Sequence, residues 1–86
     1  MRKFGKHEAE AMNSVYDGIR YVFKFDNGYG ASVVSHYGSM GHREGLYEMA
    51  ILKDDKITYE TDFTNGVIGM LSVTDVESFL DKIKAY

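Results

Sequence analysis

The residue types most able to carry out chemistry are concentrated in one glycine-rich segment, residues 36–45. It holds two imidazoles, a phenol, a guanidinium and a carboxylate. Together these five side chains form the first candidate binding site of the chain: His36, Tyr37, His42, Arg43 and Glu44. They predict a module that binds a small ligand or a nucleotide, provided that the neighbouring elements hold them in place.

Three more specific chemistries do not fit this segment. Metal ligands are usually held by rigid elements, whereas flexible glycines separate His36 from His42. The glycine spacing matches neither phosphate-binding loop pattern, and the segment leads into a predicted strand and not into a helix. Ser39 near a histidine resembles a nucleophile and its base, but no third orienting group is evident. The sequence therefore predicts no metal, no cofactor, no catalytic residue and no enzyme.

The second candidate is a set of carboxylates in the C-terminal half of the chain. Lys56 is the only basic residue between residues 54 and 81. If the carboxylates share one face, they would imitate a phosphate backbone toward a nucleic-acid-binding protein, as an acidic DNA mimic does. The alternative is a solubilising face whose charges prevent sheet-to-sheet pairing. The residues are Asp54, Asp55, Glu60, Asp62, Asp75, Glu77 and Asp81.

Composition restricts the class of protein. A chain of 86 residues with 44% hydrophobic residues is expected to form one domain around one core. The absence of cysteine excludes disulfides and thiolate metal sites. Basic residues cluster only at Arg2, Lys3 and Lys6, so no nucleic-acid interface is expected. No apolar run is long enough to span a bilayer, and we expect a soluble cytoplasmic protein.

The elements that position these candidates follow from hydrophobic periodicity. Residues 19–26 alternate between apolar and polar side chains, the pattern of a half-buried strand, and Asp26-Asn27-Gly28 is a hairpin signal. A three-residue loop with Gly28 in the left-handed conformation places Phe23 opposite Ala31. A two-residue loop would instead expose these apolar side chains, so we predict the bulged loop.

Three further strands and a helix are predicted after this loop. The strands cover residues 29–37, 46–53 and 57–63; the middle one is apolar on both sides and is expected to be central and covered on both faces. The pattern puts Ile57 on the covered side of the last strand and Thr58 on the side facing water. A short apolar run, residues 67–71, is expected to tuck under the helix.

The C-terminal helix is the best-defined element of the sequence. Ser72 and Asp75 fit a variant of the capping box, with Leu71 before the cap in the position of a hydrophobic staple. Apolar residues then recur at helical spacing: Val76, Phe79, Leu80 and Ile83. The predicted fold class is α+β, a four-stranded antiparallel β-meander with this amphipathic helix packed on one face. Residues 1–18 are predicted to be an arm or short helix, and residues 19–86 a single domain.

Three stretches together resemble a family of small, uncharacterised proteins of tailed bacteriophages and prophages. They are NGYGASVV from Asn27, GLYEMAIL from Gly45, and ITYET from Ile57 followed by NGVIGML. The resemblance covers roughly residues 19–84. The chain departs from the family pattern at Phe63, where a proline often stands. The resemblance implies a phage accessory protein in the cytoplasm of an infected bacterium, and it supplies no site residues.

The functional hypotheses belong to different classes. The first is a non-enzymatic protein that binds and modulates a host, defence or phage protein through a sheet edge, the 36–45 segment or the acidic face. The second is the small-ligand or nucleotide module, and the third is the acidic DNA mimic. An exposed sheet edge also predicts a homodimer, because pairing two edges covers both.

Overall fold

The structure, a computed structural model, describes residues 3–15, 18–35, 45–54, 56–58 and 67–86. In this part of the chain, short and long strands precede one C-terminal helix. In chain order the elements are β1 (Lys3–Phe4), β2 (His7–Glu8), β3 (Ala11–Val15), β4 (Gly18–Lys24), β5 (Tyr29–Ser35), β6 (Tyr47–Lys53), β7 (Lys56–Ile57), β8 (Val67–Leu71) and α1 (Val73–Lys84).

The predicted α+β class is confirmed, but the sheet has more strands than the four predicted. Strands β3, β4, β5 and β6 are neighbours in that order and are all antiparallel. Beside β6 lie both β7 and β8, which pair with different halves of it. The prediction that residues 46–53 form a central strand is therefore confirmed, since β6 has neighbours on both of its edges.

The loop between β4 and β5 has the predicted bulged form. Gly28 has a φ of 87°, and the Phe25 amide donates to the Tyr29 carbonyl at 2.8 Å. Phe23 is opposite Ala31, as predicted. This register gathers the large apolar side chains of both strands on the side of the sheet that α1 covers.

The helix begins as predicted. The Ser72 side chain accepts from the Asp75 amide at 3.1 Å, and the Ser72 amide donates to the Asp75 carboxylate at 3.0 Å. Both bonds of the capping box are thus present. Most of the predicted apolar stripe is buried against the sheet: Val76, Leu80 and Ile83.

The prediction for the N-terminus is wrong. Residues 3–15 form three strands and not a short helix or a loose arm, with residues 1–2 and 16–17 outside the described part. Strand β3 extends the sheet beside β4, and the β1–β2 hairpin inserts Phe4 into the core with 0% of its surface exposed. Local helix propensity over so few residues is weak, and pairing with β4 overrides it.

The apolar run at residues 67–71 is a strand of the sheet, not a connector under the helix. Leu71 is opposite Tyr47 and Ile68 is opposite Met49, so Gly69 and Met70 together face a single residue of β6. This extra residue is a β-bulge. It gives Met70 a positive φ of 60°, which is uncommon outside glycine.

The outer side of the sheet, away from α1, differs from the prediction at Ile57. The turn after β6 pairs Ile57 with Leu52, and directly opposite residues share a face. Ile57 is 48% exposed, so its predicted place on a covered side is wrong, and Thr58 is half-buried and not water-facing. On this outer side of β6, Leu52 is buried, whereas Glu48 and Ala50 are half-buried, so the predicted cover of both faces of this strand is only partial among the described residues.

Candidate functional site

The first predicted binding site lies outside the described residues. His36, Tyr37, His42, Arg43 and Glu44 all fall between β5 and β6, where the structure describes nothing from residue 36 to residue 44. The ligand-binding hypothesis for this segment therefore stays a prediction. Within the described residues, no three His, Asp or Glu side chains come together as a metal site would require.

The predicted acidic surface is described at four of its seven positions. Asp54 lies in the turn after β6, where its amide donates to the Gly28 carbonyl at 2.9 Å. Asp75 completes the capping box at the other end of the molecule, at the start of α1. Glu77 lies against Gly5 in the turn of the β1–β2 hairpin. Asp55, Glu60 and Asp62 are outside the described residues, and the mimic hypothesis stays a prediction.

Asp81, the last member of that set, has a structural partner. The buried His7 imidazole contacts it, with 2.6 Å between His7 Nε2 and Asp81 Oδ1. The hydrogen bond from His7 lowers the pKa of the Asp81 carboxyl below its usual value, and the positive charges of Lys6 and Lys84 act in the same direction. This carboxylate is thus held within mixed charges and is not part of a uniformly negative field.

Two depressions in the described surface are small. One, of about 180 Å³, lies over Gly30, which has no side chain to fill the space between its strand partners Lys24 and Leu52. The other, of about 110 Å³, lies on the outer side of the sheet beside Val34 and Ala50. Pockets for small ligands usually measure roughly 300–1,000 Å³. Neither depression is a strong candidate for a small-molecule site.

The strongest candidate is the free edge of β3. Within the described residues, β3 has one neighbouring strand, β4, and ends the sheet on that side. Alternate amides and carbonyls of such a strand point away from the sheet and are available for pairing. Its five residues, Ala11–Val15, contain no charged residue and no proline, which are the usual means of preventing edge-to-edge association.

Among the described residues, the opposite side of the sheet is protected in a way that β3 is not. Strand β7 is only two residues long, and β8 carries the bulge at Met70. Short strands and bulges are both devices that make an edge a poor template for another strand. The contrast between the two sides of one sheet identifies β3 as the edge suited to an additional strand.

Apolar side chains accompany the free edge on its helix side. Met12 is directly opposite Tyr21, a buried core residue, and Ser14 is directly opposite Ile19. Met12 is nevertheless 50% exposed, because no further strand lies beside β3 among the described residues. Ile19, one strand further in on β4, is 37% exposed. A strand added to β3 would cover both side chains, so backbone pairing and apolar burial would act at the same place.

This edge was missed at the level of sequence because residues 1–18 were predicted to lie outside the sheet. One signal could have found it. Met12 and Ser14 alternate with Ala11 and Asn13 between acidic residues at Glu10 and Asp17, followed by glycine. That pattern is compatible with a short strand and a turn. Whether such a strand is central or at an edge depends on distant residues.

Comparison with protein-family profiles, with curated proteins and with solved structures found no match to this chain. The phage resemblance therefore stays a prediction. In the described part of the chain, the helix α1 is too short and too polar to cross a membrane.

Proposed function

We propose that this chain is a non-enzymatic accessory protein that binds another protein by adding an extended segment of its partner to the β3 edge. The phage resemblance supports a setting for this activity, the cytoplasm of an infected bacterium, with a host, defence or phage protein as the partner. Strand addition of this kind takes affinity from backbone hydrogen bonds and specificity from neighbouring side chains.

One observation carries the proposal: the β3 edge lacks the protection that the other side of the sheet has. A free, uncharged edge is an association hazard, so a protein without a use for it is expected to place a lysine, a proline or a bulge there. Neither lysine nor proline occurs in β3, and its register with β4 is regular from Ala11 to Val15, whereas β8 carries a bulge. The exposed Met12 beside the edge supplies a contact for alternate side chains of the partner.

The test compares two lysine substitutions at methionines of equal exposure. Met12 on the free edge and Met70 on the bulged strand are both 50% exposed, so each substitution should leave the fold intact. Tagged wild-type protein, Met12→Lys and Met70→Lys are used to capture partners from phage-infected cells. A partner found with wild type is then purified and its Kd is measured for all three proteins.

We expect Met12→Lys to raise the Kd at least tenfold and Met70→Lys to leave it within twofold of wild type. Circular dichroism melts check that all three proteins remain folded to the same temperature. A partner that binds both variants equally well would show that the β3 edge is not the binding surface. Failure of wild type to bind any protein specifically would contradict the proposed function itself.

A further inference from the structure

The geometry of β3 points to a second copy of this chain as an occupant of the same edge. We infer that two copies pair β3 to β3, antiparallel, about a two-fold axis at Asn13, and that this self-pairing competes with partner binding. The inference rests on the proposed use of the β3 edge for strand addition. It adds a regulated state, in which the dimer covers the edge until a partner strand replaces the second copy.

The proposed register centres the five residues of β3 on Asn13, so that the strand pairs with its copy over its full length. With Asn13 opposite Asn13 of the second copy, Met12 is opposite Ser14 and Ala11 is opposite Val15. Every pair in the strand is then uncharged, because Ala11–Val15 contains no ionisable residue. The primary amide of Asn13 both donates and accepts, so two such groups can bond to each other across the axis.

The two copies of Glu10 do not oppose this arrangement. Glu10 is the last charged residue before β3, and in the antiparallel register the two Glu10 residues lie at opposite ends of the paired strands. Six residues of strand separate them along the chain direction, which is roughly 20 Å. That distance exceeds the screening length of about 8 Å at physiological ionic strength, so their repulsion is weak.

The dimer would cover the two apolar side chains that the monomer exposes near the β3 edge, Met12 and Ile19. On the helix side of the sheet, the order across the interface would be Ile19, then Ser14, then Met12 of the second copy. Strands two positions apart lie roughly 10 Å from each other, a gap that a methionine and an isoleucine can close above a small serine. The two-fold axis repeats this contact, so both exposed methionines and both isoleucines are covered.

The first experiment measures mass in solution. Sedimentation equilibrium of purified wild-type protein is expected to show a monomer–dimer equilibrium with a dimer population that rises with concentration. Met12→Lys should raise the dimer Kd at least tenfold, because it places two lysines at the interface. Met70→Lys is the matched control and should leave the dimer Kd within twofold of wild type.

The second experiment tests the register with single cysteines, for which the natural chain is suited because it contains none. In the proposed register the Asn13→Cys residues face each other with Cα atoms about 5 Å apart, within the range of a disulfide. The Ser14→Cys residues are diagonal neighbours, about 8 Å apart, which is too far. Mild oxidation should therefore yield a covalent dimer of Asn13→Cys and little of Ser14→Cys.

The outcomes separate this inference from the proposed function. The inference would be overturned if the wild-type protein stayed monomeric at 100 times the concentration used in the partner-binding measurement. Equal cross-linking of both cysteine variants would also overturn it. If such a monomer still bound a partner through the edge and Met12→Lys abolished that binding, the proposed function would stand alone. If the protein forms a dimer with the predicted cross-link but binds no protein partner, the inference is supported and the proposed function is contradicted.

Competition is read from the same cross-linked protein. Oxidised Asn13→Cys dimer should lose binding to the captured partner at least tenfold, and reduction of the disulfide should restore it. Binding that is unchanged by the cross-link would show that the second copy and the partner use different surfaces, which contradicts the competitive part of the inference.

Discussion

The Asn27 side chain forms hydrogen bonds both within the β4–β5 loop and to the end of α1. Its carbonyl Oδ1 accepts from the Tyr29 amide at 2.9 Å, a bond that shapes the hairpin loop. Its amide Nδ2 donates to the backbone carbonyl of Ile83 at 2.8 Å and to that of Lys84 at 3.3 Å. The last carbonyls of a helix have no partner within the helix. Asn27 thus fastens the β4–β5 loop to the end of α1.

Substitution Asn27→Ala should destabilise the fold through loss of all three bonds. We expect the free energy of unfolding to fall by about 1–2 kcal/mol, a typical loss for a capping side chain. Urea denaturation followed by circular dichroism measures it. The control is Asp26→Ala, an exposed neighbour in the same loop, which should change stability by less than about 0.5 kcal/mol. Equal losses in both variants would assign the effect to the loop conformation instead.

At the scale of elements, the β1–β2 hairpin is a structural part of the core. The ring of Phe4 makes edge-to-face contacts with Tyr21, Phe23 and Tyr47, at centroid distances of 5.4, 5.8 and 5.3 Å. The hairpin turn uses Gly5 with a φ of 66°, and a Cβ there would meet the Glu77 side chain at 2.8 Å. The two-residue strands are held by this insertion more than by their own pairing.

Phe4→Ala should therefore cost as much as a central core substitution. We expect a loss of about 3–5 kcal/mol, a large share of the total stability of a domain of this size. Chemical denaturation measures the loss, with Glu8→Ala in the same hairpin as the exposed control. A loss below about 1 kcal/mol would mean that the hairpin is only loosely attached and that the rest of the fold does not depend on it.

At the scale of the whole molecule, the two ends of the chain are joined. His7 and Asp81 are 74 residues apart in sequence and bond at 2.6 Å, and the His7 ring also packs edge-to-face on Phe25 at 5.7 Å. The N-terminal hairpin, the hairpin of β4 and β5, and the C-terminal helix meet at this point. A change in the charge of the Asp81 carboxylate therefore acts on a contact that joins all three elements.

The pH dependence of stability should report this junction. Bonding to His7 lowers the pKa of Asp81 below its usual 3.8, so the folded state holds this proton less tightly than the unfolded chain. The stabilisation is therefore complete above about pH 4 and is lost as the pH falls below that value through the lowered pKa. Thermal melts at pH 5 and pH 3 should show a smaller decrease in Tm for Asp81→Asn than for wild type. Parallel decreases would exclude a contribution from Asp81.

Local sequence determined the parts of this fold that depend on neighbouring residues. The bulged loop at Gly28, the capping box of Ser72 and Asp75, and the buried stripe of α1 were all predicted correctly. Each depends on backbone conformations or side-chain spacing within a few residues, so the physical signal lies in a short window. The prediction for residues 36–44 stays untested, because that segment lies wholly outside the described residues. The acidic surface is described at only part of its positions, so that prediction is not tested as a whole.

Only the tertiary structure decided which strands share the sheet and which of them end it. Met12 and Met70 look equivalent in sequence, yet among the described residues one lies on the strand that ends the sheet and the other in a bulge on the opposite side. Strand pairing is set by contacts between residues distant in sequence, as Ala11 with Val22 and Leu71 with Tyr47 illustrate. No periodicity within a short strand can reveal whether a neighbour covers its outer edge. The candidate interaction surface is a property of that long-range arrangement.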